Sequence, residues 1–154
     1  MEFRRHLCRA LFEEHEATLA LVARLEALLG REDADGAAPL LEELGAAVES
    51  ELVPHFAFEE EEVFPLLEAA GEDEMAALLV EEHRWLLPLA RRLKEVALAE
   101  RGFLSGEFRA KGAALAAGLA AHIEKEDRAL LPALDDLLDE EEDGRLSLEL
   151  ASRR

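Results

Sequence analysis

Apolar residues recur along most of this chain at intervals of three and four, the spacing that keeps them on one face of an α-helix. In the first segment Leu11, Leu21, Val22, Leu25 and Leu28 keep that rhythm together with Thr18, which predicts a helix from about Phe3 to Leu29. Gly30 to Gly36, through Asp33, Ala34 and Asp35, reads as a loop. A second helix is predicted from near Pro39, a residue suited to a first turn, to about Phe64, ending before Pro65. Gly71 separates it from a third helix, about Glu72 to Glu100. Gly102 and Ser105 lead into a fourth that reaches Leu131 and stops at Pro132. The remainder, acidic from Asp139 to Asp143, reads as an acidic tail or a short helix. Long amphipathic helices joined by short loops predict an all-α, up-down-up-down antiparallel four-helix bundle over residues 1–140, with a short C-terminal tail over 141–154.

Composition supports helix and narrows the partners. The 154 residues suit one domain, half of them apolar and 34% charged, so the chain is neither fibrous nor disordered. Ala, Leu and Glu dominate and Asn, Gln and Tyr are absent, which leaves little material for strands. A formal charge of −19 repels phosphate backbones and anionic headgroups, so neither nucleic acid nor membrane is an expected partner. No apolar run approaches the roughly 20 residues a membrane span needs. Cys8 is the single cysteine, so no intramolecular disulfide forms, and a cytoplasmic protein is expected.

An internal repeat carries the chemistry. Glu14-His15 with Arg24-Leu25 downstream matches Glu82-His83 with Arg92-Leu93. His55 through Glu59-Glu60 to Phe64-Pro65 matches His122 through Glu126-Asp127 to Leu131-Pro132, the proline ten residues after the histidine in both. Helices 1–2 and 3–4 therefore read as two copies of one hairpin. At 1.5 Å per residue, His15 lies roughly 21 Å before the end of helix 1, and His55 lies roughly 25 Å after the start of helix 2. His83 and His122 occupy comparable depths, so one imidazole from each helix meets in one layer. His55 and Glu59, like His122 and Glu126, are four residues apart and share a face.

Four imidazoles and two carboxylates suit a borderline transition metal such as iron, and suit calcium or magnesium poorly. If Glu59 and Glu126 each bridge, two ions receive two nitrogens and two oxygens apiece and keep open positions. One ion could not use six ligands spread over four helices and still stay open. The expected metal residues are thus His15, His55, Glu59, His83, His122 and Glu126. His6, nine residues from His15, points the other way and is expected at the surface. No Glu-x-x-His, His-Glu-x-x-His, Gly-x-Ser-x-Gly or phosphate-binding glycine motif occurs.

These motifs resemble the hemerythrin family, specifically its HHE cation-binding domains. The matching stretches are Glu14-His15-Glu16, His55 to Pro65, Glu82-His83, and His122 to Pro132, within about residues 7–140. The resemblance implies a non-haem di-iron centre of two iron ions, bridged by two carboxylates and an oxo or hydroxo group. Family members bind dioxygen, nitric oxide or iron itself. Oxygen-carrying hemerythrins have a second histidine four residues after the helix 3 ligand, where this chain has Leu87 followed by Pro88. That departure implies a symmetric four-histidine site with an extra open or solvent-filled position. Hemerythrins also take their second bridge from five residues after the last histidine, here Asp127, whereas the repeat points to Glu126. Phe56, Phe58, Phe64, Trp85 and Leu87 are candidates for an apolar wall. Three functions compete: a binding protein taking up dioxygen, nitric oxide or iron in a sensing or protective role, an enzyme that decomposes peroxide or reduces nitric oxide, and a structural or interaction bundle loaded with zinc or with no metal.

Overall fold

A computed structural model of the chain describes residues 1–33, 35–99 and 102–154. The predicted loop residue Ala34 and the predicted helix end at Glu100 lie outside the described residues. Among the described residues the long elements are five helices, with no strand: α1 (His6–Leu29), α2 (37–69), α3 (Asp73–Leu98), α4 (106–137) and α5 (Glu140–Ser152). The first four form the antiparallel bundle. Gly71 turns the chain between α2 and α3 at φ 89°, a left-handed conformation that a side chain disfavours. Ser105 caps α4 by accepting from the Phe108 N–H at 3.1 Å.

Two helix ends differ from expectation. α2 does not stop at Pro65 nor α4 at Pro132; they continue to Ala69 and Leu137. Proline lacks an N–H and its ring crowds the carbonyl four residues back. The chain answers by widening one turn just ahead of each proline. The Phe64 N–H reaches the Glu59 carbonyl and the Leu131 N–H reaches the Glu126 carbonyl, five residues back instead of four. A third wide turn, Val48–Leu52, precedes Pro54 in the same way. α3 runs through Pro88 as one α-helix.

The C-terminal segment is a fifth helix. Asp139 caps it by accepting from the Glu142 N–H at 2.8 Å, and four acidic residues occupy its positive first turn. Its Leu146 and Leu150 bury against the bundle, and its Asp143 accepts from the His6 and Leu7 N–H groups at 2.9 and 2.8 Å. Asp135 of α4 accepts from Arg4 and Arg5 N–H at 3.2 and 2.8 Å. Arg5 offers no capping side chain, so α1 takes its N-terminal acceptors from residues about 130 positions away.

The apolar core falls into two clusters. One gathers Leu7, Leu11, Phe58, Phe64, Leu67, Leu79, Leu130 and Leu134 with the α5 leucines. The other gathers Val22, Leu25, Leu52, Phe56, Leu86, Leu93, Phe108 and Leu115. Where each bundle helix passes from one cluster to the other lie the buried polar residues His15, His55, Glu59, His83, His122 and Glu126.

Candidate metal centre

One face of each bundle helix delivers one imidazole: His15 from α1, His55 from α2, His83 from α3 and His122 from α4. The i, i+4 spacing adds Glu59 and Glu126 to the same two faces, His55 Nε2 standing 3.1 Å from Glu59 and His122 Nε2 2.9 Å from Glu126. Both carboxylates are completely buried. His15 Nε2 lies 3.0 Å from Glu126 and 3.9 Å from Glu59, while His83 Nε2 lies 3.3 Å from Glu59 and 4.0 Å from Glu126. Two groups result, His15–His55–Glu59–Glu126 and Glu59–His83–His122–Glu126, each with its donor atoms within 4.8 Å of one another. The two carboxylates belong to both.

His83 Nε2 and His122 Nε2 lie 3.1 Å apart, within hydrogen-bond distance, but hydrogen bonding does not satisfy the carboxylates of this centre. His15 Nε2 and all four oxygens of Glu59 and Glu126 are buried without a hydrogen-bond partner. Such atoms are costly unless something satisfies them, and buried charge is held by pairing or by metal. A cation among each set of two nitrogens and two oxygens fits what these residues offer. The electrostatics agree. Burial opposes charge on His15, yet Asp127, Glu126 and Glu59 push its pKa up to about 12. Burial likewise opposes charge on His55, which Glu59 and Glu14 nevertheless raise to about 10. Burial works to raise Glu59, but His55, His15 and His83 hold it well below the usual carboxylate range. An anionic Glu59 that keeps the neighbouring imidazoles charged against burial favours any positive charge placed beside it.

A second ring of carboxylates faces the outer nitrogens. His15 Nδ1 is 2.6 Å from Asp127, His122 Nδ1 2.9 Å from Glu82, His83 Nδ1 3.4 Å from Glu60 and His55 Nδ1 3.9 Å from Glu14. Lys125 pairs with Glu82, and Arg154 beyond α5 reaches Glu14 at 3.3 Å. This separates the two carboxylates that the sequence left in competition: Glu126 faces the centre and Asp127 stands behind an imidazole. Sequence reasoning gave Glu14, Glu60 and Glu82 no role. The signal was present, since each directly adjoins an expected ligand and recurs in the repeat.

The model of the hemerythrin HHE cation binding domain matches this chain over residues 6–134. The chain belongs to the hemerythrin family. That match runs from the first residue of α1 into the last turns of α4 and takes in both His/Glu groups. No curated protein matches the chain.

The surroundings of this hemerythrin-type centre differ in part from the expected wall. Phe56 stacks on His83 with centroids 3.7 Å apart and planes within 6°, and meets His122 edge-on at 5.6 Å. Phe64 lies 5.4 Å from His83. Phe58 instead packs into the apolar cluster on the α5 side, under the Arg153 guanidinium. Trp85 is 47% exposed and packs across Gly118, where a Cβ would collide with it, rather than on the histidine rings. Leu87, where oxygen carriers place a histidine, packs against the other apolar cluster. His6 is exposed, its Nδ1 2.7 Å from Arg9. A cleft of about 300 Å³ between α1, α2 and α5, lined by Glu14, Thr18, Ser50, Arg153 and Arg154, reaches His55. No helix among the described residues is long and apolar enough to cross a membrane.

Proposed function

We propose that this hemerythrin-family chain holds two iron ions, one between His15 and His55 and one between His83 and His122, with Glu59 and Glu126 serving both. In this reading it takes up dioxygen, nitric oxide or iron itself, in a sensing or protective role. One observation carries it: two wholly buried carboxylates whose four oxygens lack hydrogen-bond partners, flanked by imidazole pairs. Iron there would supply open positions for a small ligand and a change of charge state. The protein's own groups do the rest. Phe56 and Phe64 exclude water beside His83, and Asp127 and Glu82 orient the His15 and His122 rings. Leu87 withholds a fifth imidazole, so neither position is nitrogen-rich.

Anaerobic iron loading followed by elemental analysis tests the reading. Uptake should saturate near two ions per chain, with an optical spectrum characteristic of a coupled pair after oxidation. Saturation at one ion, or none, would refute it. Peroxide or nitric oxide turnover above a metal-stripped control would favour the enzyme reading instead.

A further inference from the structure

We propose that the outer carboxylates are positioning residues that bias the centre toward its higher charge state, with Asp127 and Glu82 dominant. The proposal rests on the di-iron reading above and goes beyond it by assigning residues outside the ligand set. All four imidazoles turn Nε2 inward and Nδ1 outward; Glu60 and Glu14 stand off the outer nitrogens of His83 and His55 at 3.4 and 3.9 Å, whereas Asp127 and Glu82 lie within hydrogen-bond distance of those of His15 and His122, at 2.6 and 2.9 Å. A carboxylate there fixes the ring's tautomer and makes the inner nitrogen a stronger donor. It also adds a negative charge one ring away from the ion, which stabilises a trivalent ion more than a divalent one.

The ring is graded, and the grading makes the claim specific. Asp127 stands closest, at 2.6 Å from His15, and is 14% exposed; among the described residues its carboxylate has no cationic partner other than that histidine. Glu82 stands 2.9 Å from His122 and is 13% exposed, but shares its charge with Lys125. Glu60 and Glu14 sit farther off, Glu60 being 43% exposed and Glu14 tied to Arg154. Each ligand pair thus has one tightly backed and one loosely backed imidazole. The expected order of influence is Asp127, then Glu82, with Glu60 and Glu14 last.

The test uses the iron-loaded full chain and measures the reduction midpoint of wild type, Asp127→Asn, Glu82→Gln, Glu60→Gln and Glu14→Gln. A Glu124→Gln control removes a charge of the same sign from the exposed side of α4. Asp127→Asn should weaken the preference for ferric over ferrous iron at least tenfold, a rise of about 59 mV for a one-electron couple. Glu82→Gln should shift it less, and the control least. Cobalt(II) absorption of the same variants gives a second readout that does not depend on iron chemistry, and it should change most for Asp127→Asn. Should Asp127→Asn fail to fold, the ordering of the remaining three against the control decides. Midpoints and cobalt spectra that move no more than in Glu124→Gln overturn the proposal while two ions still bind. A wild-type chain that binds no metal overturns the di-iron reading itself.

Discussion

Replacing Asp143 with alanine should cost this protein about 3 kcal/mol, although Asp143 lies outside the bundle proper. Its carboxylate is 4% exposed and accepts from the His6 and Leu7 N–H groups at 2.9 and 2.8 Å. Those donors open α1, where no local side chain caps them and the helix dipole favours an anion. A hydrogen bond to a charged group contributes about 1.5–3 kcal/mol. Leu7 is wholly buried and would keep the full penalty, whereas exposed His6 regains water, so the sum is about 3 kcal/mol. For a chain of this size that lowers Tm by about 6–12 °C. Asp143→Asn keeps one acceptor and should lose roughly half as much. The assay is thermal unfolding by circular dichroism on metal-stripped protein. Asp139→Ala, which removes only the exposed cap of α5, should cost about 1 kcal/mol. If Asp143→Ala melts no lower than Asp139→Ala, α5 does not clasp α1 as described.

Three further outcomes follow from the site and its surroundings. His83→Ala or His122→Ala should lose metal by elemental analysis while His6→Ala keeps it; unchanged content in His83→Ala would show that the assigned register is wrong. Because Leu87 offers no fifth imidazole, iron-loaded reduced protein exposed to air should oxidise and stay oxidised. A spectrum that reverts when oxygen is pumped off would contradict this. Cys8 is buried beside Asp135 and Asp143, burial first and those charges next pushing its thiol from 9.0 up to about 12. Native protein at pH 9 should therefore alkylate on the order of a thousandfold more slowly than denatured protein. The folded state keeps a proton the unfolded state releases, so stability should fall as pH rises from about 9 toward 12. Labelling of the native chain at the denatured rate would refute the burial argument.

Much of the fold was legible because the signals were periodic or repeated. Apolar spacing located the four bundle helices, and the His-to-Pro interval marked the duplicated hairpin. The helix ends were misjudged because proline was read as a stop, while the chain can widen a turn and continue. The clasp of α1 by Asp135 and Asp143 was invisible because it joins residues about 130 apart, with nothing local to announce it. The outer carboxylates were hidden for the opposite reason. In a chain with 36 acidic residues, Glu14, Glu60 and Glu82 look like solvated surface until their neighbours are known. Trp85 was misplaced because proximity to His83 in sequence says nothing about side: two residues along a helix turn a side chain by about 200°.

The wide turns at Glu59–Val63 and Glu126–Leu130 also set the phase of everything after them. On a helix of constant pitch Phe64 would point about 140° away from Glu59, yet both are buried, as are Leu131 and Glu126. The turn behaves as a one-residue insertion that brings the downstream face back into line. Deleting Glu61 or Glu62 should therefore leave Phe64 and Leu67 facing inward, at the cost of crowding Pro65. The same deletion at Ala57 would swing Glu59 by about 100° relative to His55 and dismantle the pairing on that helix. Length variation in this part of the chain is consequently tolerable in one turn and ruinous in the turn before it.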